Sequence, residues 1–484
     1  MKKLNLFILL FLSLHTFAQS INSNVDEIIG REMKERRIPG LQLAVVQNGK
    51  IVSSKSYGYA NIQDHISVKN TTIFPINSNT KIFTGVSVMQ LVEQGKIELN
   101  APIKKYLNDL PSEWQNITVD QLLTHISGLP EILQLLDPLT GNIGPLKTEQ
   151  AIWEKLKTLP LEFKTGEQFS YNQTNYYLLG KIIEKVSHQS FATNFENQQF
   201  RIANMKHTLF GDSRDLIPQF APTYRYRNLF DGKRTDDKLV NNYTEFPDFT
   251  RTGAGINSTA EDMANWIIAL QSGKLFQKSA TLDLMWSPSK FNNGNPTNWT
   301  RGWGIAKFRK NHKAIGMSGG NRSALLIYPD DKLAIIVLTN LGGSAPEDFL
   351  EEIAGCYNAD ILEADPLTFL RKNLREIGFD KAIDFTEKTK KKNPEFDPQE
   401  VELNNWAYRM MTNNQQTEAL EIFKLNVHLF PKSWNAYDSY GEVLLKTGNK
   451  NKAVEMYKKS VKLNPENENG KQMLLKIEES VKTK

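Results

Sequence analysis

The sequence predicts an α+β protein with an antiparallel sheet flanked by helices and an inserted helical lobe, followed by an all-α domain of helical repeats. Strand-like segments lie at both ends of residues 20–360, and helical segments fill most of the stretch between them. The tail repeats itself at an offset of 34 residues, so that Trp406 aligns with Tyr440. A chain of 484 residues is long enough for two or more domains.

The N-terminus has the features of a secretory signal peptide. Met1-Lys2-Lys3 is basic, Leu4 to Leu14 is apolar, and a small residue precedes Gln19. We therefore expect a signal peptide over residues 1–19 and an exported protein, either periplasmic or extracellular. The apolar run is too short to cross a membrane, so we expect no membrane span after signal removal; an uncleaved anchor is the alternative.

The composition narrows the classes of function. The chain has 59 Lys and Arg residues against 54 Asp and Glu, and a net charge of +5 is too small to indicate a nucleic-acid partner. Cys356 is the only cysteine, which excludes an intramolecular disulfide and a thiolate metal cluster. The seven histidines include no His-x-x-x-His pair. We therefore expect neither a metal nor another cofactor.

The predicted sheet draws on both ends of the first domain. Apolar runs over Leu41–Val46 and Ile51–Tyr59 flank Asn48-Gly49, which is a strong hairpin signal because both turn positions favour a positive φ. Further strands are predicted at Trp303–Phe308, Ala314–Met317, Ala324–Tyr328 and Leu333–Leu338. One antiparallel sheet built from the two ends would leave a cleft against the helical lobe, where we expect the functional site.

The segment between the strands is predicted to be mostly helical with long loops. A helix begins near Ser78 and ends at Gln94-Gly95, since Gly is a common stop signal. The other predicted helices are Val119–Leu123, Thr148–Lys157, Tyr176–Val186, Ala260–Gln271 and a closing helix within Ser344–Tyr357.

Ser78 and Lys81 form the motif around which the site is predicted. We expect Ser78 in the first helical turn, which places Lys81 on the same helix face, three residues later. A serine hydroxyl needs a nearby base to act as a nucleophile, and a lysine whose pKa is lowered by burial supplies one. The alternative is that Ser78 only caps the helix and Lys81 is solvated, which is the commoner meaning of an isolated Ser-x-x-Lys.

Two later segments fit the same hypothesis. Phe169–Tyr176 is a polar loop that leads into a helix, and its Tyr171 would share a proton with Ser78 and Lys81. Gly316–Asn321 ends a strand, where glycines let a bound acyl group approach the backbone closely. The backbone N–H groups of Ser78 and Gly320 would then hold an oxyanion. The alternatives are a tyrosine that only packs and a plain glycine turn.

His125 is a further titratable residue in this region. It follows a predicted helix end within Leu123-Thr124-His125-Ile126-Ser127-Gly128. A histidine at a helix C-terminus is favourably placed for structural reasons. We therefore predict a structural role for His125 rather than a catalytic one.

Over Asn24–Tyr357 the chain resembles the class C β-lactamase and penicillin-binding serine hydrolase family. The resemblance rests on seven stretches in order, which are Ile38-Pro39-Gly40, Ser78-x-x-Lys81, Leu123–Gly128, Thr165-Gly166-Glu167 with Phe169-Ser170-Tyr171, Gly253–Met263, the strand-end glycines, and Thr339-Asn340. It implies that Ser78 is acylated, that Lys81 accepts its proton, and that Tyr171 is the tyrosine of the Tyr-x-Asn motif. The substrate-binding residues implied by the same alignment are Gln173, Met317, Ser318, Gly319 and Asn321.

The chain departs from the family pattern at two positions. Gln173 replaces the asparagine of the tyrosine motif and keeps the amide with one more methylene. Met317 replaces the lysine or histidine of the strand motif and carries no charge. Losing one such group costs about two to three orders of magnitude in rate, and the loss weighs most on substrates held by a carboxylate. We therefore expect an active hydrolase of esters, amides or peptides; the alternative is a weakened or inactive site in a binding or scaffold protein.

The tail predicts paired helices that stack on one another. Trp406, Ala407, Ala419, Phe423, Val427, Leu429 and Pro431 match Tyr440, Gly441, Ala453, Tyr457, Val461, Leu463 and Pro465. Over Leu403–Glu468 this pattern resembles the tetratricopeptide repeat family. We expect a helical linker or cap over residues 361–400 and repeats over residues 401–484. Such repeats would offer a surface for a protein partner; alternatively, they only pack on the hydrolase domain.

Overall fold

The computed structural model describes residues 21, 23–135, 148–226, 238–297, 299–413 and 415–482. The predicted signal peptide lies outside these residues. Within the described ranges, no helix combines the length and apolar character that a membrane crossing requires. The chain divides into two compact units between Ala354 and Gly355.

The strands are short in the middle of the chain and longer at the two ends of the first unit. In chain order they are β1 Gly40–Gln47, β2 Lys50–Asn61, β3 Ile66–Ser67, β4 Phe74–Pro75, β5 Leu209–Phe210, β6 Tyr224–Tyr226, β7 Leu239–Asn241, β8 Ile256–Ser258, β9 Ile305–Lys307, β10 Ala314–Gly319, β11 Ser323–Tyr328 and β12 Leu333–Thr339.

The helices occupy the middle of the first unit and nearly all of the second. In chain order they are α1 23–36, α2 Thr80–Glu93, α3 Val119–Leu123, α4 Glu149–Leu156, α5 Gln173–Ser187, α6 Phe191–Phe195, α7 Arg251–Ala254, α8 Ala260–Gln271, α9 Ser279–Met285, α10 Leu350–Tyr357, α11 Asp360–Ala364, α12 Pro366–Ile377, α13 Ala382–Lys392, α14 Glu400–Thr412, α15 Gln416–Leu429, α16 Trp434–Lys446, α17 Lys450–Leu463 and α18 Glu468–Lys482.

The main sheet has seven strands in the order β3-β2-β1-β12-β11-β10-β9, and every pairing is antiparallel. Strand β1 pairs with β12, so that Leu41 lies opposite Thr339. The prediction of one antiparallel sheet made from both ends of the domain is therefore confirmed. The hairpin is also confirmed, because Asn48 and Gly49 have φ values of 52° and 72°.

Two small sheets were not predicted. One has the order β4-β8-β5, and the other pairs β6 with β7. Their strands are two or three residues long. Such strands are too short to show a two-residue alternation, so the segment was predicted as helices and loops.

Helix α2 forms the centre of the first unit. Every residue from Thr80 to Leu91 is buried, and Phe83 packs against Trp266 with ring centroids 4.3 Å apart. A helix that is buried on all sides lies in the interior of a domain. Its core continues to the inner face of the main sheet through side chains such as Ala44 and Ile336. The fold thus fixes the start of α2 rigidly against its surroundings.

The second unit contains helices that pack in succession. Helix α14 packs on α15, α16 on α17, and α17 on α18. Ala419 and Ala453 are buried where helices cross, and Phe423 and Tyr457 fill the space between them. The predicted helical tail is confirmed, but Phe379–Lys381 forms a separate 3-10 turn before α13. Assignment to the tetratricopeptide family stays a prediction.

Candidate active site

Ser78 lies in a 3-10 turn, Asn77–Asn79, that leads directly into α2 at Thr80. The prediction that Ser78 lies in the first α-helical turn was therefore wrong, because Ser78 precedes the first residue of α2 by two residues. The cause is Asn77, whose φ of 48° places it in the left-handed region that asparagine tolerates better than most residues. Ser323 on β11 holds this turn, since its Oγ donates to the Ile76 carbonyl at 2.7 Å and accepts from Asn79 Nδ2 at 2.8 Å.

Tyr171 and Lys81 both approach the Ser78 hydroxyl. Tyr171 Oη donates to Ser78 Oγ at 2.7 Å, and Lys81 Nζ lies 3.5 Å from the same oxygen. Tyr171 precedes α5, which is capped by the Asn172 side chain. The structure therefore brings together the three residues that the sequence predicted to be catalytic.

Lys81 is fully buried and makes three contacts with oxygen atoms. Besides Ser78 Oγ, its ammonium donates to Gln173 Oε1 at 2.9 Å and to the Gly253 carbonyl at 2.8 Å. Nζ also lies 4.7 Å from the centre of the Tyr171 ring. Burial lowers the pKa of Lys81, against the opposing charges of Tyr171 and Glu131. A lowered pKa makes the neutral amine more accessible, which a proton acceptor requires.

His125 is buried behind the tyrosine. Its Nδ1 accepts the backbone N–H of Asn172 at 3.1 Å, and its ring lies 4.7 Å from that of Tyr171. Burial, aided by the Lys81 charge, holds the pKa of His125 well below its usual range. A neutral imidazole that accepts this hydrogen bond fixes the loop before α5. The geometry favours the predicted structural role.

The end of β10 packs directly on the turn that carries Ser78. A Cβ on Gly319 would lie 2.1 Å from the Ile76 carbonyl oxygen and 2.9 Å from the Ser78 backbone nitrogen. Gly320 and Asn321 then form the turn to β11 with φ values of 58° and 51°. Gly320 lies beside the Asn77 side chain of the turn that carries Ser78, and its role as an oxyanion donor stays a prediction. Asn321 is exposed, and its carbonyl accepts from Ala345 N at 3.0 Å.

Met317 and Ser318 precede these glycines on β10. Met317 is buried in the main core, and its Sδ is 3.0 Å from the position that a Cβ on Gly304 would occupy. Ser318 is half-buried. His312 does not replace the missing charge, because it lies in a turn where its Nδ1 contacts Asp331 at 2.9 Å. The strand therefore presents an apolar side chain where the family has a cation.

Sequence reasoning missed three groups at the site. Glu131 accepts the backbone N–H of Gln173 at 2.9 Å, and burial raises its pKa. Gly253 provides a carbonyl to Lys81, and Trp299 packs 5.4 Å from the Tyr171 ring. A carboxyl immediately after the apolar Leu129-Pro130 was the only signal available for Glu131. Among the residues that the structure describes, no group of three His, Cys, Asp or Glu side chains is arranged for a metal.

A seven-stranded antiparallel sheet, an internal helical lobe, and a Ser-x-x-Lys turn contacted by a tyrosine define a protein of the penicillin-binding and β-lactamase class. The sequence model of the beta-lactamase family matches residues 25–354. The chain belongs to this beta-lactamase family.

Two relatives of this chain share less than a third of its residues over the matched region. Protein flp of Staphylococcus aureus strain N315 is 26% identical over 338 residues, which cover 68% of this chain and 65% of that protein. The chain thus spans just under two thirds of the length of this relative. An N-acetylmuramyl-L-alanine amidase of Bacillus subtilis strain 168 is 29% identical over 356 residues, covering 65% of this chain and 80% of the amidase.

Solved structures agree on the fold. The octameric penicillin-binding protein homologue from Pyrococcus abyssi superposes with a TM-score of 0.60 at 24% identity, over 73% of this chain and 81% of that one. A penicillin-binding protein from Bacillus halodurans superposes with a TM-score of 0.53 at 22% identity, over 68% of this chain and 98% of that one. These similarities support the α+β architecture with its helical lobe.

Proposed function

We propose that this protein is a serine hydrolase that forms an acyl-enzyme at Ser78. The observation that carries the proposal is the pair of contacts to Ser78 Oγ, from Tyr171 Oη at 2.7 Å and from Lys81 Nζ at 3.5 Å. A nucleophile within hydrogen-bond reach of a base whose own position is fixed is the arrangement that covalent catalysis requires. Members of the beta-lactamase family are typically serine hydrolases, which agrees with this geometry.

The reaction has two steps. Ser78 Oγ attacks the substrate carbonyl carbon while Lys81, coupled to Tyr171, takes the hydroxyl proton. The N–H groups of Ser78 and Gly320 stabilise the oxyanion, and the proton passes to the leaving group as its bond to the carbonyl carbon breaks. Water then attacks the acyl carbon of the ester at Ser78 and gives a proton to the Lys81–Tyr171 pair. The bond between the acyl carbon and Ser78 Oγ breaks, the pair returns the proton to Ser78 Oγ, and the acid is released.

Burial of Lys81 favours this assignment of the base. The amine must be neutral to accept the serine proton, and burial moves its pKa in that direction. The carbonyl of Gly253 and the amide of Gln173 hold the nitrogen in place beside Ser78. We therefore expect kcat/KM to rise with pH as Lys81 loses its proton.

The substrate class is an ester, amide or peptide. The name of the Bacillus amidase makes an N-acetylmuramyl-L-alanine amide one compound to test. The apolar Met317 disfavours recognition of a carboxylate by this strand position. The basic and apolar N-terminal segment supports export to the periplasm or the extracellular space.

Intact-protein mass spectrometry tests the nucleophile. The protein is incubated separately with a fluorophosphonate, a penicillin and a short-chain ester, beside the variants Ser78→Ala and Ser279→Ala. Ser279 is an exposed serine at the start of α9 and serves as the matched control. We expect one adduct in the parent and in Ser279→Ala, and none in Ser78→Ala. An adduct that persists in Ser78→Ala would show that the nucleophile is another residue.

A second candidate function is a binding or scaffold protein with a weakened site. Met317 favours it, because the strand lacks the family's cation, and the helical second unit offers a surface for a protein partner. No adduct from any of the three reagents, in protein that melts cooperatively, would favour this alternative over hydrolysis.

A further inference from the structure

Glu131 is a half-buried carboxylate in the loop that follows Leu129-Pro130. Its two oxygen atoms accept hydrogen bonds from different backbone groups. Oε2 accepts the N–H of Gln173 at 2.9 Å, and Oε1 accepts the N–H of Leu133 at 2.9 Å. Neither step of the proposed reaction uses this side chain. A carboxylate that is partly withdrawn from water beside the site therefore calls for an explanation of its own.

Glu131 is connected to the base through the first residue of α5. The backbone N–H of Gln173 is one of the donors that a helix start leaves without an internal partner, and Glu131 accepts it. The side-chain Oε1 of the same Gln173 accepts from Lys81 Nζ at 2.9 Å. One residue thus links the carboxylate to the amine that lies 3.5 Å from Ser78 Oγ. A change at Glu131 should therefore reach the nitrogen that takes the serine proton.

The titratable side chains that face Lys81 differ in charge. They come from the loop before α5, from α5 itself and from the segment after α3, and they are Tyr171, Tyr176, His125 and Glu131. Burial raises the pKa of Tyr176 and lowers the pKa of His125, so both are uncharged at neutral pH. Tyr171 donates its proton to Ser78 Oγ and is uncharged while it does so. Of these four groups, Glu131 alone supplies a negative charge.

Other charged groups nearby act on different partners. Arg251 of α7, which packs on α2, pairs with Asp215 at 2.8 Å. The charge of Glu162 acts on the Glu131 carboxyl. Burial raises the pKa of Glu131, whereas its two N–H donors and the Lys81 charge oppose that rise and favour the ionised form. Glu131 and Lys81 therefore form an electrostatically coupled pair at the site.

We propose that Glu131 is a positioning residue that holds the base through Gln173 and, by its negative charge, sets the pH range in which Lys81 accepts the Ser78 proton. A neighbouring anion favours the ammonium form of a lysine, so removing the anion makes the neutral amine available at lower pH. The hydrogen bond to Gln173 is a separate contribution, because it fixes the residue that holds Lys81 Nζ. The inference rests on the proposed hydrolase function and describes how the base of that reaction is controlled.

Two variants separate the charge of Glu131 from its hydrogen bond. The measurement is kcat/KM for phenyl acetate, a neutral ester, between about pH 5 and about pH 9. Glu131→Gln keeps an oxygen that can accept the Gln173 N–H but removes the charge. We expect its acid limb to move to lower pH by about half a unit or more, with a plateau within about threefold of the parent. Glu131→Ala removes both, and its plateau should also fall by about tenfold.

A distant carboxylate provides the control. Glu154→Gln removes a charge from an exposed glutamate of α4 that pairs with Lys157, and it should change neither the limb nor the plateau. An acid limb of Glu131→Gln that stays in place or moves to higher pH would overturn the role of the charge. Equal plateaus in Glu131→Ala and Glu131→Gln would overturn the role of the hydrogen bond. If Glu131→Ala does not melt cooperatively, Glu131→Asp replaces it and should keep the parental limb with a lower plateau.

An NMR titration of Lys81 separates this inference from the proposed function. It uses Ser78→Ala with isotope-labelled lysine and needs no turnover, and the Cε signal of Lys81 is assigned by its loss in Lys81→Met. We expect the titration midpoint to fall when Glu131→Gln is added. If Ser78→Ala still hydrolysed phenyl acetate at the parental rate, the nucleophile would be wrong, while the titration would still judge the effect of Glu131. Equal midpoints with and without Glu131→Gln would contradict this inference alone.

Discussion

The helical side and the strand side of the candidate site differ in how their polar groups are satisfied. On the helical side, Lys81 contacts three oxygen atoms and lies against a tyrosine ring. On the strand side, Met317 is apolar and Arg322 is buried without a hydrogen-bond partner for Nε or Nη1 among the described residues. The difference is that the polar groups around Lys81 satisfy one another within the protein, whereas two donor atoms of Arg322 lack an acceptor among the described residues.

Replacing Lys81, the amine at the centre of the helical side, should have the largest effect on activity. Lys81→Met keeps the buried volume but removes the base, and we expect kcat/KM to fall by at least about 1,000-fold. The melting temperature should stay the same or rise, because a buried amine is replaced by an apolar side chain. Steady-state kinetics and thermal melting check both outcomes. Lys274→Met, at an exposed lysine, is the control. A comparable loss of kcat/KM in this variant would contradict a specific role for Lys81 and its contacts.

Filling the space at the end of β10 should have the next largest effect. Gly319→Ala places a methyl group 2.1 Å from the Ile76 carbonyl oxygen, so the strand end or the Ser78 turn must move. We expect about a 100-fold loss of kcat/KM, since removing one oxyanion donor costs that much. Gly30→Ala is the matched control, because its Cβ meets nothing within 4 Å. Parental activity in Gly319→Ala would show that this contact does not position the oxyanion donors.

A positive charge placed on β10 tests whether the apolar Met317 limits the substrates that the site accepts. Met317→Lys should raise kcat/KM for 3-carboxyphenyl acetate, an ester that carries a carboxylate, by about tenfold relative to the parent. Phenyl acetate should change little, because a neutral ester gains no ion pair. Met317→Leu controls for repacking of the core around this position. A gain that is equal for both esters would mean that the charge acts on the transition state rather than on the carboxylate.

The smallest expected effect is a pH dependence of stability that comes from His125. Its pKa is well below 6.5 in the folded protein, so between that lowered value and 6.5 the unfolded chain binds the additional proton. The contribution of His125 to the free energy of unfolding is therefore complete above pH 6.5. It falls as the pH drops, by up to about 1.4 kcal/mol per pH unit. Urea unfolding at several pH values should show that His125→Gln reduces this slope. His65→Gln, at an exposed histidine, should retain it.

Local patterns were sufficient for the hairpin and for the pair formed by Ser78 and Lys81. Asn48-Gly49 specifies its own turn, and Ser78 and Lys81 are close because only three residues separate them. Tyr171 was predicted to join them from the resemblance, and the structure brings it within 2.7 Å of Ser78 Oγ. The tail helices could be located because small and aromatic residues recur at a fixed offset.

The remaining features depend on tertiary contacts. The Gly253 carbonyl carries no side-chain signal, and Glu131 contacts Gln173 only because their loops pack together. The left-handed Asn77 moved Ser78 into a 3-10 turn, which helix stop and start signals do not reveal. From the sequence alone, Arg322 would be predicted to be an ordinary surface residue. Its burial becomes visible only when β10, β11 and the Ser78 turn are assembled.

The pairing of β1 with β12 has a consequence for biosynthesis. Strand β1, which includes Leu43 and Val45, is synthesised early. Strand β12, which pairs with one edge of β1, is complete only when synthesis reaches Thr339. Until then, a nascent or truncated chain would present an apolar strand with unpaired backbone groups, which is a surface prone to aggregation. Such distant pairing also slows folding. Assembly of the Ser78 pocket therefore has to wait for late synthesis, and chains that stop before Leu333 should accumulate as insoluble material.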